Sequence, residues 1–182
     1  MKKILLVLIL ILTLGSHTMA YEEANYETIS ENKNYEIRKY FDRLVIETDS
    51  TEGNGFRKLF NYISGNNEEK KEIKMTVPVT QENKDGNMKM QFYLPSKFNK
   101  DNAPKPSNPE IKVLNIEGGY YAVIKYSGRS SDKNFIKNKN ILEKELKKDD
   151  IIILSPPIRA SYNSPFTLPI LKRNEVMFRI DL

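Results

Sequence analysis

Apolar and polar side chains alternate along Tyr35-Glu36-Ile37-Arg38-Lys39-Tyr40, and Leu44-Val45-Ile46 resumes the apolar run after Asp42-Arg43, which predicts a pair of strands. From Gly55 the period changes. Phe56, Leu59, Phe60 and Ile63 fall at i, i+3, i+4 and i+7, one apolar stripe on a helix that ends at Gly65. Strands recur at residues 73–79 and 88–94, and the stretch 95–109 carries four prolines and reads as a loop. The second half follows the same order. Residues 111–116 and 121–126 flank a Gly118-Gly119 turn as another strand pair, and a helix from about Asp132 to Lys147 carries Phe135, Leu142 and Leu146 on one side. Residues 151–154, 159–162 and 176–180 are the closing strands.

The chain therefore reads twice as strand, strand, helix, strand, strand, a repeat of element order with little repetition of residue identity. The expected class is α+β: a distorted, mainly antiparallel β-barrel or open sheet with two packed helices, leaving an apolar cleft between helix and sheet.

The N-terminus departs from this pattern. Lys2 and Lys3 precede residues 4–14, apolar except for Thr13, and Ser16, Thr18 and Ala20 follow. This is the layout of a signal peptide over residues 1–20, cleaved after Ala20, and it implies export to a periplasm or the cell exterior. The apolar run is shorter than the about 20 residues of a membrane span, so no stable anchor is expected after cleavage. Residues 21–182 then form one domain.

Charge adds little. Loss of Lys2 and Lys3 takes the formal net charge from +5 to +3. Lys133, Lys137, Lys139, Lys144, Lys147 and Lys148 alternate with acids and Asn, which is a solvated helix face and not a nucleic-acid stripe. Composition excludes more. The chain has no Cys, and its one histidine is His17, inside the leader. Zinc or copper sites built on His or Cys, thiol nucleophiles and Ser-His-Asp catalysis are all ruled out for residues 21–182, and the core must hold without disulfides. Acids are plentiful, but none has the spacing of an acid–base pair, so no enzyme is expected.

Three strings stand in order: Asn34-Tyr35-Glu36-Ile37-Arg38-Lys39-Tyr40; residues 55–67 (GFRKLFNYISGNN) leading into Ile73-Lys74-Met75-Thr76-Val77-Pro78-Val79; and Tyr162-Asn163-Ser164-Pro165-Phe166-Thr167-Leu168-Pro169 followed by Arg173-Asn174-Glu175-Val176. Phe92-Tyr93-Leu94-Pro95, Pro104-Lys105-Pro106 and Tyr126-Ser127-Gly128 lie between them. The ordered set resembles the SOUL haem-binding family from about Tyr26 to the end. The resemblance implies a barrel of two repeats, shared with GyrI-like drug-sensing domains. It also implies non-covalent binding of haem or a related tetrapyrrole in a hydrophobic groove beside the first helix, without catalysis. Some members are proposed to use an axial histidine, and residues 21–182 contain none.

Candidate ligand contacts are Phe56 and Phe60 on the first helix, whose apolar face otherwise packs the core, and Met75, a core filler or a thioether facing a porphyrin. Tyr162 and Phe166 flank a loop able to close over a flat ligand, and Lys172 and Arg173 can pair with propionates. Glu175 either pairs with Arg173 or another cation, or faces the cleft and favours a cationic ligand. The first reading is thus an exported, monomeric haem or tetrapyrrole binder. The alternative is a carrier or sensor of other flat apolar or cationic small molecules.

Overall fold

The computed structural model describes residues 21–182, so the leader reading lies outside the described residues. In chain order the strands are β1 (Glu22–Glu23), β2 (Tyr26–Glu31), β3 (Glu36–Tyr40) and β4 (Arg43–Asp49), then helix α1 (Gly55–Ile63). Next come β5 (Thr76–Val77), β6 (Val79–Lys84), β7 (Asn87–Tyr93), β8 (Lys112–Ile116) and β9 (Gly119–Tyr126). Helix α2 (Asp132–Lys148), β10 (Ile158–Ser161), a 3₁₀ turn (Pro169–Leu171) and β11 (Asn174–Ile180) complete the chain.

Nine strands form one antiparallel curled sheet in the order β2-β3-β9-β11-β10-β6-β7-β4-β8, while β1 and β5 form a separate parallel pair. With β2 set aside, this order is palindromic under exchange of the two repeats, β3 for β8, β4 for β9, β6 for β10 and β7 for β11. The repeat read from the sequence is a pseudo-twofold axis running between β6 and β10.

The expected strand pairs are present as strands but not as pairs. β3 pairs with β9 and β4 with β8, and one register runs through both ladders: Glu36 faces Val123, Tyr40 faces Gly119, Arg43 faces Ile116 and Glu47 faces Lys112. The segments are therefore one long ribbon, bent where Phe41-Asp42 passes Glu117-Gly118. Neither Gly118 nor Gly119 adopts a left-handed φ. Gly118 serves close approach instead of chain reversal, since a Cβ there would lie 2.6 Å from the Tyr40 carbonyl oxygen. Its N–H donates to Asp42 Oδ1 at 2.8 Å.

Other boundaries differ for local reasons. Only Thr76–Val77 of the expected strand 73–79 is extended before Pro78, and the ladder resumes as β6 through Lys84. Asp85 and Gly86, both at positive φ, then make the two-residue hairpin turn into β7. Residues 151–154 contribute only an isolated bridge, Ile153 to Ile180, and β2 was not anticipated.

Both helices pack on one face. Leu59, Tyr62 and Ile63 of α1 bury against Leu44 and Ile46 of β4 and Met90 and Phe92 of β7. Leu142 and Leu146 of α2 bury against Ala122 and Ile124 of β9 and Val176 and Phe178 of β11. Helix α2 is capped by Ser131, whose hydroxyl accepts from the Asn134 N–H, and it ends on Lys147 and Lys148, favourable at the negative end of the helix dipole.

Gly118→Ala should lower stability by about 1–3 kcal/mol, because the corner is closed by backbone that cannot yield as a side chain would. Urea denaturation reads it, as a fall in midpoint without a change in slope.

Candidate ligand groove

Because α1 covers β4 and β7 while α2 covers β9 and β11, the central pair β6 and β10 is left without a roof. The register there sets Val79 opposite Ser161 and Gln81 opposite Arg159. Period-2 alternation sends these four toward the helix side. They floor a groove lying on the pseudo-twofold axis.

The groove has two lobes that share Phe56, Val79, Ser161, Asn163 and Pro165. One lobe, about 250 Å³, is apolar, walled by Phe56, Phe60, Met75, Val77 and Tyr162 with Tyr21 at its rim. The other, about 560 Å³, is more polar and carries Arg129, Arg159 and Lys172. The sequence stripe on α1 splits accordingly. Leu59 and Ile63 enter the core, whereas Phe56 and Phe60 stay 44% and 47% exposed and stack at 5.9 Å between centroids. Phe56 also meets the edge of buried Phe92 at 5.2 Å. Two parallel rings standing half-exposed on a groove wall offer a flat apolar surface.

Of the eight candidate residues, Phe56, Phe60, Met75 and Tyr162 meet in the apolar lobe and Lys172 lies in the cationic one. Phe166 lies outside both lobes, 95% exposed at the tip of its loop. Arg173 and Glu175 belong to a buried cluster behind the sheet. Glu175 is fully buried: Oε1 accepts from Arg38 Nη2 at 3.1 Å and Arg173 Nε at 2.9 Å, and Oε2 accepts from Arg38 Nη1 at 3.0 Å and the Tyr162 hydroxyl at 2.7 Å. Arg173 reaches Glu23 at 2.8 Å and lies 3.7 Å over the Tyr162 ring. Burial opposes the Arg38 charge, but Glu175 outweighs it and its pKa is raised. Burial, then the Glu175 charge, push the Tyr162 phenol well above its ordinary value, so it remains the neutral donor of this pair. Sequence reading missed Val77, Val79, Arg129 and Arg159. The 80–84 stretch had no strand assigned, and without it the β6–β10 pairing that aims Val79 and Arg159 at one groove is invisible.

The opposite face of the sheet encloses a mixed cavity of about 380 Å³, where Arg43, Glu47, Glu82 and Gln91 stand beside Leu114, Ile116, Ile158 and Met177. Burial raises the Glu82 carboxyl there.

The curled sheet, the axis and the strand order define an α+β protein of the GyrI-like fold. The C-terminal domain of EcmrR shares it at 12% identity, with 86% of this chain and 98% of that one covered and a TM-score of 0.58. SAV2435 bound to tetraphenylphosphonium shares it at 8% identity, 81% and 93% coverage and a TM-score of 0.51. The chain belongs to the SOUL heme-binding protein family, whose profile matches residues 21–179. Heme-binding protein 2 of Mus musculus is 30% identical over 164 residues, covering 80% of this chain and 77% of that protein.

Glu175→Gln removes the one charge that faces both Arg38 and Arg173 from inside the barrel. It should lower stability by about 3 kcal/mol in urea denaturation, since fully buried Arg38 then keeps only Glu36 and the cluster is left with an excess of positive charge.

Proposed function

We propose that residues 21–182 bind haem or a closely related tetrapyrrole, non-covalently and without catalysis, in the groove between the helices. The observation that carries this reading is the pairing of an apolar wall, Phe56, Phe60, Met75 and Val77, with an adjoining lobe holding Arg129, Arg159 and Lys172. That is the complement of a flat macrocycle bearing carboxylates at one edge. Family membership supports it. We further propose that the protein acts after export, on the strength of the leader pattern in residues 1–20.

The donor set bears on how iron would be held. No histidine or cysteine is present in residues 21–182. The Tyr162 hydroxyl is committed to Glu175 at 2.7 Å. Met75 is the soft donor in the apolar lobe, and a thioether is a weak ligand compared with imidazole. Affinity then comes mainly from buried porphyrin area, at about 25 cal/mol per Å², and from propionate contacts with Lys172 and Arg129. When bound, haem supplies the iron. The chain's own residues orient the ring, shield its face and neutralise its carboxylates. The other reading, a carrier or sensor of other flat apolar or cationic small molecules, rests on the missing histidine and, for cations, on Glu175 as a free acid. Four hydrogen bonds and two arginines already occupy that carboxylate, so haem is the better supported ligand.

Titration with haem should shift the Soret band at about one-to-one stoichiometry, and iron-free protoporphyrin should bind within about tenfold, a difference of about 1.4 kcal/mol. Phe60→Asp should weaken binding more than Met75→Ala, with both variants folded because Phe60 is half-exposed and Met75 lies at the edge of the core. Tight haem binding with a six-coordinate spectrum and no binding of protoporphyrin would overturn the weak-ligand account.

A further inference from the structure

The pseudo-twofold axis provides an internal control for what the fold requires. In the first repeat, β6 and β7 are joined by the two residues Asp85 and Gly86. The equivalent connection in the second repeat, between β10 and β11, is the twelve-residue loop 162–173. The sheet needs only a hairpin turn here; Tyr162 and Arg173 at the ends of the loop belong to the buried Glu175 cluster, and the length between them serves something other than the fold.

That loop shows a consistent chemistry. Phe166, Ile170, Leu171 and Leu168 are 95%, 78%, 67% and 64% exposed, four large apolar side chains within six positions. Their exposure is held in place by the backbone. The Gly128 N–H donates to Pro169 O at 2.8 Å, the Thr167 N–H to Ser164 O at 3.1 Å and the Leu171 N–H to Leu168 O at 2.9 Å. Lys172 Nζ ties back to Pro165 O at 3.0 Å, and the Arg173 N–H donates to Asn163 Oδ1 at 2.6 Å. A loop fixed this way presents its apolar tip to solvent although an apolar groove lies beside it.

The surroundings select the partner. Residues 162–173 contain no acid, and Lys172 and exposed Arg129 flank the tip. Nearby Asp132 is engaged by Arg159 at 2.6 Å. Apolar side chains projecting from a cationic, acid-free rim match an anionic bilayer surface, where the tip enters the acyl boundary and the cations meet headgroups. We propose that loop 162–173 is a membrane-docking element that inserts Phe166, Leu168, Ile170 and Leu171 into an anionic lipid surface. Because Asn163, Ser164 and Pro165 of the same loop line the groove, docking turns the groove mouth toward the lipid. Apolar ligands dissolved in a membrane then have a short path into the protein.

The test uses ligand-free residues 21–182, which hold every strand and helix described, so it stands apart from whether haem is the ligand. Vesicles of mixed phosphatidylglycerol and phosphatidylcholine should co-sediment the protein, and pure phosphatidylcholine should do so more weakly. The double substitution Phe166→Ser with Ile170→Ser should reduce binding at least about tenfold, with an unchanged melting temperature because both side chains contact mainly solvent. The chain has no tryptophan, so Phe166→Trp provides a single reporter. Its emission should move to the blue on addition of anionic vesicles, while Ile152→Trp, near the opposite end of β11, should not respond. Equal sedimentation of the double variant and the parent, or no sedimentation of either, overturns the proposal. So does self-association that the double variant abolishes in the absence of any vesicle binding, an outcome that makes the patch an interface between copies.

Discussion

One antiparallel ribbon governs this molecule. Residues 36–47 run against residues 112–123 in a single register, and the bend at Phe41-Asp42 against Glu117-Gly118 directs the two halves of the ribbon to opposite ends of the sheet. Each repeat donates its first strand to the other. Neither repeat has a complete sheet alone, and joining them in one curled sheet leaves two free strand edges where two separate units would carry four. The corner favours glycine at 118, because the opposing Tyr40 carbonyl lies where a Cβ would stand.

The groove is a consequence of that arrangement. Once the ribbon has placed β4 and β9 outside β7 and β11, each helix covers the two middle strands of its own half. A nine-residue α1 and a seventeen-residue α2 do not reach across the axis. The central strands β6 and β10 remain open, and their outward-facing side chains become a floor. Two differences between the repeats then give the symmetric trough a polarity. Helix α1 contributes stacked phenyl rings at one end, and the second repeat contributes arginines and a lysine at the other.

Charge is divided between the faces of the sheet. Behind the groove, Glu175, Glu36 and Glu23 are neutralised by Arg38, Arg173 and Lys125 in a chain of ion pairs under Tyr26, Tyr40 and Tyr162. In surroundings of low dielectric such a cluster is stable only when every member is paired. It therefore works as structure, holding β3, β11 and the end of β10 together, and it leaves the groove side free of buried negative charge. An anionic ligand edge can approach there without meeting Glu175.

Much of this was legible in the chain. Local periodicity located both helices and most strands, because alternation and the 3.6-residue stripe are properties of neighbouring residues. The ordered strings around Tyr35, Phe56, Met75 and Tyr162 identified the family and four residues that converge on the apolar lobe. Partner choice was not legible. Strands 36–40 and 43–49 look like a hairpin because they are adjacent in sequence, yet they pair instead with segments far along the chain, Glu36 with Val123 and Glu47 with Lys112, and only the assembled sheet decides that. Periodicity likewise placed Phe56, Leu59, Phe60 and Ile63 on one stripe, but a helix seated at the edge of a groove has a buried side and an open shoulder, and packing alone sorts the four. Glu175 was read with Arg173 because they are two positions apart, while its principal partner, Arg38, lies 137 residues earlier. Sequence by itself determined what the elements are and which ligand chemistry their residues can serve. Tertiary structure decided which residues share a cavity and which charges are already satisfied, because both depend on contacts between segments far apart in the chain.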